Sequence, residues 1–118
     1  MISKGNIFRG DIWLIGLDPT IGHEQSEKRP CVVISTDLFN NSSADLVVIL
    51  PLTTKQKNVP WQVEIKAPDG GLKINSFIIC DQIRTVSKQR LFGSRLGFLN
   101  SDMLKKIEKR IKILLEIY

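Results

Sequence analysis

Five side chains able to do chemistry crowd into seven residues: His23, Glu24, Gln25, Lys28 and Arg29. His23, the only histidine, has the natural pKa for acid–base work near pH 7. Glu24 could orient a neighbouring guanidinium or act as a base. Arg29 offers parallel donors to two oxygens of a phosphate and stays cationic at any working pH. Pro30 restricts Arg29 to an extended backbone, which helps to set where that fork points. The segment from Asp18 to Lys28 is polar and turn-rich and runs straight into an apolar strand. A connection of about twelve residues between strands is uncommon, and is usually either functional or disordered.

A second group follows an apolar run at Pro51-Leu52: Thr53, Thr54 and Lys55. A threonine hydroxyl can donate to a phosphate oxygen without adding charge. A third group is Asp81, Gln82 and Arg84. Metal and thiol chemistry have little to work with. Cys31 and Cys80 each lie in an apolar run outside any Cys-x-x-Cys pair, and one histidine with two distant cysteines makes no zinc ligand set. No Asp/Glu cluster suggests a carboxylate site. The aspartate beside Cys80 works against a reactive thiolate there. Two reduced, buried thiols are expected, with a disulfide between them a conceivable alternative.

The elements that must hold these groups are short. Residues Asp11 to Leu17 alternate around Trp13, Ile15 and Leu17 and predict a strand closed by Asp18-Pro19. Cys31 to Ser35 reads as a buried strand, and Thr36 to Ser43 leaves room for one short helical turn. Leu46 to Leu52 is the next strand, its Pro51 suggesting an edge or a bulge. Trp61, Val63 and Ile65 alternate with Gln62 and Glu64, Asp69-Gly70-Gly71 marks a turn, and Ser76 to Val86 reads as one strand turning polar at Asp81. The period then changes. Leu104, Ile107, Ile111, Leu114 and Leu115 form the stripe of an amphipathic helix, with cap candidates at Asn100-Ser101-Asp102. Five or so short strands and one helix suggest a compact barrel with a helical closure.

With 118 residues, 42% hydrophobic and 25% charged, one globular domain over residues 1–118 is expected. No apolar run approaches the roughly 20 residues of a membrane span, and no leader-like segment opens the chain, so a cytoplasmic location is the default. The net charge of +5 is uneven: nine basic residues lie between Arg84 and Lys112 against two acids. Such a surface attracts polyanions, whether nucleic acid or an acidic protein.

Five segments together resemble the MazF/PemK (Kid) toxins, in that family's order and spacing. They are R-G-D-I-W at Arg9 to Trp13, G-H-E-Q at Gly22 to Gln25, K-R-P at Lys28 to Pro30, P-L-T-T at Pro51 to Thr54 and C-D-Q-I-R-T at Cys80 to Thr85. The resemblance implies a mainly β fold with a C-terminal helix, an SH3-like barrel of the CcdB/MazF type. It implies a homodimer that cuts single-stranded mRNA at specific sequences without a metal or other cofactor, away from membranes, and is silenced by a cognate antitoxin. In such cleavage the substrate's own 2′-hydroxyl attacks the adjacent phosphorus. The protein aligns the oxygens, stabilises phosphoryl charge and handles two protons.

Arg29 matches the family's essential arginine, and Thr53 its functional threonine at Pro-x-Thr. His23 resembles the implicated histidine of the PemK branch, where many MazF relatives carry serine; with Glu24 it completes the implied catalytic set. Gln25, Lys28, Thr54, Lys55, Asp81, Gln82 and Arg84 are the implied RNA contacts, Asp81 and Gln82 for base edges or proton transfer. Bases would be read by stacking and edge hydrogen bonds. Phe39, Trp61 and the loops Gly16–Lys28 and Lys55–Val59 are candidates. The chain departs from the PemK branch at Ile79, where that branch has arginine, so its acid–base assignment does not transfer directly. Two other readings share the fold. A CcdB-like gyrase poison would end in tryptophan-glycine-isoleucine, unlike Ile117-Tyr118 here. An inactive RNA-binding module would have no need of both Arg29 and Thr53.

Overall fold

The alternating segments become strands of one antiparallel sheet in the computed structural model, which describes residues 5–17 and 28–118. The strands are β1 (Asp11–Gly16), β2 (Lys28–Val33), β3 (Leu46–Thr53), β4 (Gln62–Ile65), β5 (Ser76–Ile79), β6 (Arg84–Ser87) and β7 (Leu91–Phe98). A single helical turn, α1 (Asp37–Asn40), follows β2, and α2 (Ser101–Leu115) closes the chain. The order is β4-β5-β3-β2-β1-β7, with β6 also paired to β3. The expected class, mainly β with a C-terminal helix, is what forms.

Three differences from the sequence reading have physical causes. The run Ser76 to Val86 is two strands, because the chain turns at Asp81 and Gln82 between β5 and β6. Strand β7 carries no apolar run because it is a sheet edge with six of its eight residues exposed or nearly so. Pro51 sits inside a central strand rather than at an edge. There β3 leaves β6, paired up to Ile49↔Arg84, and joins β5 from Leu52↔Ile78. At that changeover no partner strand requires the missing N–H.

Among the described residues the hydrogen-bonded ladder does not close into a complete barrel; β4 and β7 remain its two edges. The turn Asp69–Gly71 packs backbone to backbone on β7 instead. A Cβ at Gly71 would fall 1.8 Å from the Leu96 carbonyl oxygen, and one at Gly97 would fall 2.4 Å from that of Gly70. Only glycine allows that approach.

Side-chain alternation gives the sheet two apolar faces. One gathers Ile12, Val32, Leu50, Leu52, Val63, Ile65 and Ile78 against Ile107 of α2, with Met103, Leu104 and Ile111 packed alongside. Ile107 is fully buried, and truncating such a residue to alanine costs about 2–5 kcal/mol. The other face holds Trp13, Ile15, Cys31, Val33, Val47, Ile49, Val86 and Leu91. Cys31 and Cys80 belong to different clusters, and both are free, buried thiols. Asn100 is the cap of α2: its side-chain oxygen accepts the Met103 N–H at 2.9 Å.

The R-G-D segment is a structural corner. Asp11, 2% exposed, accepts the Phe8 N–H at 2.9 Å and a guanidinium N–H of Arg95 at 3.0 Å. Arg9 donates to the Ile34 carbonyl at 2.9 Å and pairs with Glu108 of α2 at 2.7 Å, while its N–H reaches Asp37 at 2.7 Å. One tripeptide thus joins β1, α1, β7 and α2.

Candidate active site

The antiparallel register of β2 and β3 runs Val33↔Ile49, Val32↔Leu50, Cys31↔Pro51. Continued two residues, it sets Arg29 opposite Thr53 at the open ends of both strands. The ladder stops short of that pair for a reason legible in Pro30. The Ile34 N–H bonds the Val48 carbonyl at 2.9 Å, so even-numbered β2 residues face β3 with their backbone groups. Pro30 stands where an N–H would reach Leu52, and proline has none. Beyond Cys31 the strands part, and a cleft of about 310 Å³ opens, lined by Lys28, Arg29, Pro30, Leu52, Thr53, Thr54, Lys55 and Ser76.

Within the cleft Thr53 Oγ1 accepts the Lys55 N–H at 3.2 Å, which leaves the hydroxyl hydrogen to be donated elsewhere. The loop after Thr53 is splinted to β4 by Gln62, which accepts the Lys57 N–H at 2.9 Å and donates to the Lys55 carbonyl at 3.2 Å. Thr54 lines the same cleft. Lys28 lies over the Phe92 ring, its Nζ 4.1 Å from the centroid. Cys31 shares β2's face with Arg29. Burial pushes its thiol up to about 12, against the pull of the Arg29 and Arg84 guanidiniums. Cys80 rises to about 11, again chiefly by burial, with Arg110 lowering it and Asp81 raising it. Both thiols are protonated at neutral pH and are poor nucleophiles.

The cleft thus assembles Arg29, Thr53, Thr54, Lys28 and Lys55 from the sequence-derived set. Asp81 and Gln82 lie on the exposed β5–β6 turn rather than on a facing strand, and do not line it. Arg84 is on β6, opposite Ile49, close enough to act on the same thiol as Arg29. His23, Glu24 and Gln25 lie outside the described residues. Pro30 and Leu52, members of the K-R-P and P-L-T-T segments, are also on the wall, as is Ser76, which no sequence signal marked. Neither Phe39 nor Trp61 lines the cleft. Among the described residues, no three His, Cys, Asp or Glu side chains gather into a set that could hold a metal ion.

Seven of the nine basic residues between Arg84 and Lys112 fall into two groups. Arg90 donates to the Gly16 carbonyl at 3.1 Å, Arg95 to Asp11, and Arg110 to the Pro60 carbonyl at 2.9 Å, so these guanidiniums hold the fold together. Lys105, Lys106, Lys109 and Lys112 are exposed on α2.

Residues 8–115 match the profile of the PemK-like, MazF-like toxins of type II toxin–antitoxin systems. The chain belongs to this family. It is 36% identical to Endoribonuclease EndoA of Bacillus subtilis (strain 168) over 110 residues, covering 92% of this chain and 94% of that protein. It is 31% identical to Endoribonuclease PemK of Escherichia coli over 113 residues, covering 95% and 84% respectively. Among solved structures, a MazE–MazF complex from Deinococcus radiodurans matches with a TM-score of 0.81 at 23% identity, over 95% of this chain and 97% of that one. This PemK/MazF family member therefore carries its P-L-T-T and K-R-P segments on the two walls of one cleft. Its R-G-D segment lies in the corner between β1 and α2. Among the described residues no helix is long and apolar enough to cross a membrane.

Proposed function

We propose that this chain is the toxin of a type II toxin–antitoxin pair: a cytoplasmic, homodimeric endoribonuclease that cuts single-stranded RNA at a specific sequence, without a metal, through the substrate's 2′-hydroxyl. The observation that carries this reading is the convergence of Arg29 and Thr53, from two strands, on a cleft also lined by Lys28 and Lys55. Arg29 stabilises charge on the phosphoryl oxygens, and Thr53 donates to the same group and fixes its position. Burial keeps both cysteine thiols protonated at neutral pH, which favours the neighbouring ribose as the source of the nucleophile. His23 and Glu24 are the proposed proton-transfer groups. Gln25, Thr54, Asp81, Gln82 and Arg84 are proposed to contact RNA flanking the cut.

The relatives named endoribonucleases support the activity, and the MazE–MazF complex supports an antitoxin partner. An acidic, extended antitoxin segment suits the exposed lysines of α2. The test is incubation with a long RNA in EDTA, followed by mapping of the ends. Cuts at one recurring motif, leaving a 2′,3′-cyclic phosphate and a 5′-hydroxyl, are expected. A single deoxyribose on the 5′ side of the scissile bond should block them. Products with 5′-phosphates, or cutting of the deoxy-substituted strand, would overturn the mechanism. Sedimentation as a monomer at micromolar concentration would remove the dimer.

A further inference from the structure

Phe92 is an edge-strand aromatic that stays 39% exposed beside the cleft. In the ladder it stands next to Leu14, which stands next to Pro30 on the cleft wall. Two strand spacings, about 10 Å, separate Phe92 from Pro30. The ring reaches further than its backbone. A Cβ on Gly16 would lie 3.1 Å from Phe92 Cε2, so the ring leans across the end of β1, where glycine leaves it room. Gly16 is in turn paired with Lys28, whose ammonium sits 4.1 Å from the ring centroid. Lys28 itself lines the cleft. A π-face and a cation thus meet at the mouth of a site already lined by Arg29 and Lys55.

We infer that Phe92 is the stacking platform for a base flanking the scissile phosphate, and that Lys28 holds the ring until RNA arrives. Single-stranded sites combine cationic grooves with aromatic faces, because every base has a π-face and every nucleotide a phosphate. The Lys28–Phe92 contact is a weak, half-exposed one. A phosphate offers Lys28 a full opposite charge in place of a ring quadrupole. The ammonium moves to it, and the vacated ring face takes the base. Neither Phe92 nor Trp61 lines the cleft itself, but the Phe92 ring is in contact with the wall residue Lys28, and the role falls to it on that ground. The inference rests on the RNA-cleaving reading above and extends it to substrate selection.

The experiment compares Phe92→Ala, Phe92→Leu and Phe92→Trp with the wild type. Each is measured for kcat and KM on an RNA holding the mapped cleavage sequence. Binding is read with the same strand carrying deoxyribose at the cut. Alanine and leucine should both weaken binding roughly five- to a hundredfold, the range for losing one base–aromatic stack. The loss should fall mainly on KM. Tryptophan should restore affinity, and RNA should quench its added indole emission. Lys28→Met should lower affinity and flatten the salt dependence by about one phosphate contact. If Phe92→Leu binds like wild type, or the new indole is blind to RNA, or the Phe92 variants change only the oligomeric state, the platform is wrong while the nuclease stands. A wild-type protein that cuts no RNA overturns both.

Discussion

Two places in this molecule carry an arginine near the end of a strand, and they serve opposite ends. At the Arg9–Asp11 corner the charged groups face inward to named partners: the Phe8 N–H, Arg95, Glu108 and the Ile34 carbonyl. At the Arg29–Thr53 cleft the polar groups line about 310 Å³ of open space where two strands part. Asp11 is 2% exposed, whereas Thr53 and Arg29 are half-buried on a cleft wall. A charged motif residue whose donors and acceptors are consumed by the fold is architecture. One that lines an opening between strands also borders space that a substrate can enter. The chain contains both kinds within twenty residues of each other, and their residue types do not distinguish them.

Substitutions should pull the two regions apart. The largest effect expected is on rate: Arg29→Ala should lower cleavage by about 10²–10³, the usual loss of one oxyanion donor. Its thermal unfolding midpoint should stay within a few degrees of wild type. A folded variant with near-normal turnover would break the comparison on the cleft side. Asp11→Ala should do the reverse. Leaving the Phe8 N–H and a half-buried guanidinium without their carboxylate should cost about 2–4 kcal/mol of stability in denaturant titrations. Cleavage per folded molecule should be unchanged, and a specific loss of kcat in that variant would mean that the corner takes part in chemistry.

Smaller differences sharpen the contrast. Thr53→Val removes one neutral donor and should slow cleavage about tenfold. If it cuts like wild type, Thr54, on the same wall, becomes the hydroxyl to remove. Arg9→Met should cost about 1–2 kcal/mol in stability, because it loses a pair with Glu108 that is about one-third exposed on both sides and the hydrogen bond to the Ile34 carbonyl. The last effect is absent at neutral pH. Burial raises Cys31 and Cys80 from 9.0 to about 12 and about 11. Above pH 9 the unfolded chain loses thiol protons that the folded chain keeps, so stability should fall as pH climbs through that window. Cys31→Ala should shrink the fall relative to its own neutral-pH stability. An unchanged alkaline slope would mean that the thiol is not held protonated by the fold.

Much of this architecture was legible because its causes are local. Trp13 and Ile15 alternate, and they lie in one buried face of β1. The helical stripe at Leu104, Ile107 and Ile111 packs on the opposite core, and Asn100 caps the helix as its type allows. Strand β7 was not legible. An exposed edge carries no hydrophobic alternation, so Leu91–Phe98 reads like a loop. Pro51 misled for a related reason: proline signals a missing N–H, and only the fork between β5 and β6 shows why none is needed.

The candidate site divides along the same line. The residue types at Arg29, Thr53 and Lys28, together with the family's motif order, were determined by the sequence. So were the periods of the strands and the helix, because these depend on neighbours within a few positions. Which charged groups are enclosed in a corner of the fold and which border a cleft was decided only by the tertiary structure. Arg29 and Thr53 meet through a register set far along the chain at Val33↔Ile49 and ended by Pro30. Phe92 reaches Lys28 only because β1 lies between β7 and β2. Pairings of that range depend on how the faces of several strands are buried together, and no local stretch of sequence contains them.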